Sequence, residues 1–164
     1  MGRQITFTVY GEPRPKLRAK MGRGRMYNPQ ANKDAAQAID YYCREQMHID
    51  GNGDFDHNIQ PKPMIGPLYA VTTYYLARAK SQRERLPIKK PDVDNLEKMV
   101  FDALEGSIYK NDSQIVLSVA FKDWAQPDEE RTEIAIGELC GLDAPVLYKM
   151  LVEPIRAATE ALDV

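Results

Sequence analysis

Ile5, Phe7 and Val9 alternate with Gln4, Thr6 and Thr8, the period of two that marks a half-buried strand, which the turn-rich stretch from Gly11 to Pro15 ends. Gly22, Arg23 and Gly24 then place a turn inside a basic loop or hairpin arm. Asn28 and Pro29 signal a helix start, and Ala35, Ala38, Ile39, Tyr42, Cys43 and Met47 carry an apolar stripe to about Gln46. Asp50 to Pro67 is rich in Gly, Asn, Asp and Pro and reads as a surface loop. Leu68 to Ala77, rich in β-branched and tyrosine residues, reads as a second strand.

A second helix follows. Asp94 suits an N-cap with Glu97 three residues on as in a capping box, and Leu96, Met99, Val100, Ala103 and Leu104 repeat at helical spacing before Gly106 supplies a stop. Ile115, Leu117, Val119 and Phe121 alternate, as do Thr132, Ile134 and Ile136 beyond a Gln-Pro-Asp turn, which predicts two antiparallel strands. The order strand, arm, helix, strand, helix, strand, strand is α+β, a small mixed β-sheet with helices packed on one face. Past residue 140, Leu147, Leu151, Ile155, Ala158 and Leu162 keep a helical stripe through Pro154. The expected organisation is therefore a compact domain over 1–140 and a C-terminal helical tail over 141–164.

With 164 residues, 43% apolar and 28% charged, the chain is large enough for one sizeable core, and no apolar run is long enough for a bilayer span. The expectation is a cytoplasmic protein, with Cys43 and Cys140 as reduced packing residues, since they share no metal-ligand spacing. The net charge of −2 hides an asymmetry. Arg3, Arg14, Lys16, Arg18, Lys20, Arg23 and Arg25 crowd the amino end, while Arg78, Lys80, Arg83, Arg85, Lys89 and Lys90 run directly into an acidic motif. Affinity for phosphate follows local charge and counterion release rather than the total, so nucleic acid remains a candidate partner.

The acidic motif is "KPDVDNLEKMVFDALE", residues 90–105. Pro91 biases Lys90 toward an extended conformation, and an extended Asp92 to Asp94 puts both carboxylates on one side of the chain. Like charges that close repel unless a cation lies between them. Lys98, four residues after Asp94 and four before Asp102, has the spacing of ordinary surface ion pairs. Asp112 stands at the entrance to a later strand. Oxygen ligands without His or Cys select Mg²⁺, or Mn²⁺, over zinc. The Asp50, Asn52 and Asp54 run fails as a calcium loop, with Phe55 where glycine and Pro61 where a bidentate glutamate are needed. His48 and His57 lack partners at metal spacing, and Gly22 and Gly24 miss the dinucleotide fingerprint.

The run "KPDVDNLEKMVFDALEGSIYKNDSQIV" resembles the RusA family of Holliday-junction resolvases, whose hallmark is an Asp-x-Asp-Asn-Leu-x-Lys helix followed by an Asp-Gln strand entrance. "ITFTVYGEPRPKLRAK" and "GRMYNP" look like that family's first strand and arm, and the resemblance spans most of residues 3–138. It implies that Asp92, Asp94 and Asp112 bind the metal and are catalytic with Lys98. It also implies a homodimer with two sites that nick opposed strands of a four-way DNA junction. Asn111 stands where some members are acidic, and the tail extends past the family core. The expected cofactor is Mg²⁺, with Mn²⁺ as a substitute. The expected DNA-binding residues are Arg14, Lys16, Arg18, Lys20, Arg23 and Arg25 in an arm that orders on DNA, and Arg83, Arg85, Lys89 and Lys90. A less specific flap or single-strand nuclease has the same carboxylates, and a non-catalytic branched-DNA-binding protein has the same basic runs. A phosphatase or sugar-nucleotide transferase using Asp-x-Asp leaves Lys98 and Asp112 unexplained.

Overall fold

The computed structural model describes residues 2–22, 24–48 and 62–139, with 141, 146, 149, 153 and 154 beyond them. Arg23, Cys140, His57, the rejected calcium loop and most of the tail lie outside the described residues. The elements are β1 (Gln4–Tyr10), β2 (Lys20–Gly22), β3 (Arg25–Tyr27), α1 (Gln30–Met47), β4 (Leu68–Leu76), α2 (Val93–Leu104), β5 (Ile115–Trp124) and β6 (Arg131–Glu138), in the predicted order. A short 3-10 turn, Asp112–Gln114, leads into β5.

β1, β6, β4 and β5 form one sheet in that spatial order, while β2 and β3 form a separate ribbon. β6 is antiparallel to both β1 and β4, and β4 and β5 are parallel. A parallel pair needs a crossover, and α2 is that crossover. The sequence reading of the last two strands as an antiparallel pair needs correction. β5 and β6 run in opposite directions but β4 lies between them, and the link from Ala125 to Glu130 spans its end, where the Ala125 amide donates to Leu76 O at 2.9 Å. Alternation reports which face a residue occupies, not which strand is its neighbour.

Alternate residues of three strands, Ile5, Phe7 and Val9, Ala70, Thr72 and Tyr74, Ile134 and Ile136, are buried together with Ile39 and Cys43 of α1 and Leu96, Met99, Val100 and Leu104 of α2. α1 packs on β1 and on α2, so the helices cover one face of the sheet, as expected. On the other face Val71, Val119 and Phe121 are partly exposed. The helix α2 ends as its sequence suggests, with Glu105 as C-cap and Gly106 at φ 84°, a conformation that favours glycine. Its start differs: Asp92 rather than Asp94 is the N-cap, and it makes no side-chain capping bond. With the N-cap at Asp92 the expected box with Glu97 does not form, and Glu97 turns to the sheet, where its carboxylate accepts a hydrogen bond from Ser118 Oγ of β5.

Candidate active site

The register fixes which segments meet at each end of the sheet. Tyr10 at the end of β1 pairs with Arg131, Arg131 pairs with Tyr75, and Leu76 pairs with Trp124. The chain therefore leaves β1 for the basic arm, and leaves β4 for the basic segment before α2, from the same end. That end also carries the start of α2. Lys122 of β5 clamps it, its ammonium donating to Lys89 O at 3.0 Å and to Pro91 O at 2.9 Å.

Here the arm and the acidic motif share a cleft. Glu12 to Arg18 form one wall, and Lys90, Pro91, Asp92 and Asn95 form the other. Asp92 and Asp94 are exposed, and among the described residues the single side-chain bond to either is a 3.5 Å contact from Asn95 Nδ2 to Asp94 Oδ1. Lys98 is exposed one turn after Asp94. Its expected second partner, Asp102, is taken by Lys16, with Nζ to Oδ2 at 2.5 Å. Among the described residues no carboxylate lies within ion-pairing distance of Lys98. The ammonium is left beside the Asp92–Asp94 end with no structural task visible in its bonds.

Two anchors root the arm. The Lys16 amide donates to Asn95 O at 2.8 Å, beside the Lys16–Asp102 pair. Asn32 of α1, 1% exposed, accepts from Leu17 N at 2.9 Å and donates to Leu17 O at 2.8 Å and Asn28 Oδ1 at 2.6 Å. These bonds hold the root of the arm at Lys16 and Leu17, and Lys16 is committed to them. Asn32 gave no signal in the sequence because a polar residue on a buried helix face reads as a break in the apolar stripe. Arg14 is exposed and 3.5 Å from Glu12, while Arg18, Lys20 and Arg25 are exposed and among the described residues have no ion-pair partner. Arg83, Arg85, Lys89 and Lys90 are likewise exposed and without an ion-pair partner among those residues. Their segment is pinned where Trp124 Nε1 and Arg78 Nη2 both donate to Glu84 O at 3.1 Å.

Asp112 is elsewhere. Tyr109 donates its hydroxyl to Phe101 O at 2.9 Å, and Asn111 Nδ2 donates to Glu105 Oε1 at 2.9 Å, so the turn bearing Asp112 sits at the carboxyl end of α2. Twelve helical residues separate it from Asp92, about 18 Å at the usual rise. The structure thus places Asp92 and Asp94 at the start of α2, Lys98 at its middle one turn after Asp94, and Asp112 beyond its other end. Among the described residues no three His, Cys, Asp or Glu side chains are gathered closely enough to hold a metal ion.

The Asp112 turn is nonetheless tightly built. Gln114 accepts from Lys110 N at 2.9 Å and Asn111 N at 3.2 Å and donates to Met64 O at 3.2 Å and Gly66 O at 3.3 Å. Asn111 accepts from Ser113 N at 3.1 Å, completing a capping box with Gln114. Burial raises the Tyr109 phenol above its ordinary pKa, reinforced by the negative charges of Asp112, Glu105 and Asp102. This end of α2 is therefore acidic, and the other is ringed by cations.

The family model described as "Endodeoxyribonuclease RusA" matches residues 6–137. An uncharacterized protein of Bacillus subtilis (strain 168), YqaN, is 34% identical over 144 residues, covering 82% of this chain and 96% of its own length. No helix of the described residues is long and apolar enough to cross a membrane. The family match takes in both the arm and the Asp112 turn, and the chain belongs to the RusA endodeoxyribonuclease family.

Proposed function

We propose that this protein is a Mg²⁺-dependent, structure-selective endonuclease that resolves four-way DNA junctions by paired phosphodiester hydrolysis as a homodimer, serving recombination and repair in the cytoplasm. The observation that carries the reading is the cleft where Arg14, Arg18 and Lys90 stand around Asp92. Cations that can hold phosphates meet uncapped carboxylates that can hold a cation.

The donor set fits a hard divalent ion. Asp92 and Asp94 are exposed and free of ion pairs among the described residues, and Mg²⁺ characteristically takes one or two carboxylates together with substrate phosphate and water. Such an ion supplies Lewis acidity toward the scissile phosphate. Arg14, Arg18 and Lys90 hold the flanking phosphates, which fixes the strand without reading its sequence. Lys98 places positive charge where negative charge develops as the phosphorus is attacked. Hydrolysis leaves a 5′-phosphate and a 3′-hydroxyl.

The distance between Asp112 and Asp92 gives the homodimer a chemical purpose. A second copy related by a two-fold axis perpendicular to α2 runs its α2 the opposite way, and in that arrangement Asp112 of the partner subunit comes toward the Asp92 end. Each chain then supplies two half-sites, and neither copy is complete alone. Two such sites also match the two strands that junction resolution must cut.

The test is cleavage of a mobile four-way junction beside linear duplex and flap DNA, with Mg²⁺, with Mn²⁺ and with EDTA. The proposal expects symmetric nicks in the junction, far slower cutting of the other substrates, and no product in EDTA. Equal cutting of all three would favour a general nuclease. Junction binding with no cleavage under any metal would favour a binding protein.

A further inference from the structure

The ribbon formed by β2 and β3 presents two features that do not usually occur together. Its register pairs Lys20 with Tyr27, Met21 with Met26 and Gly22 with Arg25. Directly opposed residues lie on the same face, so Met21 and Met26 make an apolar pair on one face, and Lys20, Tyr27 and Arg25 share the other. Met21 is 75% exposed and Met26 64%. Among the described residues no third strand joins the ribbon. A two-stranded ribbon is marginal by itself, and two solvent-exposed methionines give it no folding benefit. Lys20 and Arg25 put exposed cations on the opposite face, and Arg18 adds another just before the ribbon. Just before the ribbon, Asn32 and Asp102 fix Leu17 and Lys16, so it grows from a held root in the cleft that contains Asp92.

We infer that this ribbon is a wedge for the branch point of DNA: Met21 and Met26 lie against base faces exposed where strands exchange, while Arg18 at its root and Lys20 and Arg25 on its opposite face hold neighbouring phosphates. The inference rests on the nuclease reading and adds how a branched substrate is told from duplex. Charge selects the partner, since a ribbon with an apolar face and a cationic face complements DNA, in which apolar base faces lie beside anionic phosphates. Methionine suits the task because its unbranched, polarizable side chain fills irregular gaps, and apolar side chains inserted at base steps are a recurrent way of opening DNA. In continuous duplex the bases are stacked and the pair finds no surface; at a crossover it does.

The experiment uses the full-length protein in EDTA, so that binding is read without cleavage, and a four-way junction carrying 2-aminopurine beside the crossover. Wild type is expected to raise the fluorescence on binding, as the base leaves its stack. Met21→Ser/Met26→Ser, which keeps every cation, should lose that rise and bind the junction about ten-fold more weakly, in the range that loss of one base contact produces. Its duplex affinity and salt dependence should be unchanged, and its melting temperature should stay that of wild type because both residues are exposed. Met21→Leu/Met26→Leu should retain the rise. A serine variant that raises the fluorescence as wild type does overturns the wedge. So does one that weakens junction and duplex equally, or one that alters the sedimentation of the free protein, which would make the patch a contact between copies. If wild type cuts junctions yet leaves 2-aminopurine stacked, the wedge alone fails; if wild type binds no DNA, the nuclease reading fails with it.

Discussion

A lysine with acidic residues one turn away on both sides usually forms surface pairs worth tenths of a kcal/mol. Lys98 has that spacing, but Asp102 is bound to Lys16. Its removal should therefore cost little stability and much activity. Lys98→Ala is expected to lower turnover by about 100-fold or more, the range for loss of one preorganised electrostatic donor, with no appreciable change in melting temperature. A proportionate loss of both would assign it to the fold. Asp92→Asn, Asp94→Asn and Asp112→Asn should each abolish cleavage while junction binding persists or strengthens, because each removes a negative charge from a phosphate-binding surface. Full cleavage by any of the three would remove that residue from the site. At Asp112 the conformation depends on Gln114, whose one amide makes four hydrogen bonds with backbone groups.

At the level of elements, α2 and the arm show what the sequence could and could not disclose. The apolar stripe of α2 was readable because burial imposes a period, and Leu96, Met99, Val100, Ala103 and Leu104 are all buried. Its start was misplaced by two residues, since Asp92 and Asp94 are equally good caps by type and only the backbone distinguishes them. The partner of Glu97 was hidden because Ser118 is distant in the chain. The basic arm was legible as charge, but not its root, which depends on Asn32. Asn32→Ala leaves the Leu17 N–H and C=O without their partner, and about 1–3 kcal/mol of lost stability is expected in denaturant unfolding. A neutral effect would mean that the arm is not held there. If Arg18 and Arg25 contact phosphates, the double alanine variant should flatten the slope of log K against log salt by up to about 1.8 and weaken junction and duplex alike. An unchanged slope would shift the backbone contacts to Arg83, Arg85, Lys89 and Lys90.

Across the whole molecule, the sheet has two ends of opposite character, and the reading of function depends on both. Composition and alternation disclosed an α+β fold with helices on one face, because faces are local properties of the chain. They did not disclose that β4 separates β5 from β6, nor that Asp92 and Asp112 are a helix length apart, because neighbours and distances arise only when strands choose partners. The core is also tight enough to be tested chemically. Cys43 is fully buried, and burial, aided by the charge of Asp40, pushes its thiol up to about 12. In a Cys140→Ser background, a thiol reagent should react with Cys43 only at the rate of unfolding. Immediate stoichiometric modification would show that α1 opens in the native state.

In the proposed homodimer each chain carries two half-sites completed by the second copy. That arrangement is tested most directly by purifying, with two different affinity tags, a mixed dimer of one Asp92→Asn chain and one Asp112→Asn chain. Each homodimer should be inactive. The mixed dimer should contain one site with two altered residues and one with none, and should make a single Mg²⁺-dependent nick per four-way junction. A mixed dimer as inactive as its parents would contradict the account, because a site built within one chain leaves both copies defective.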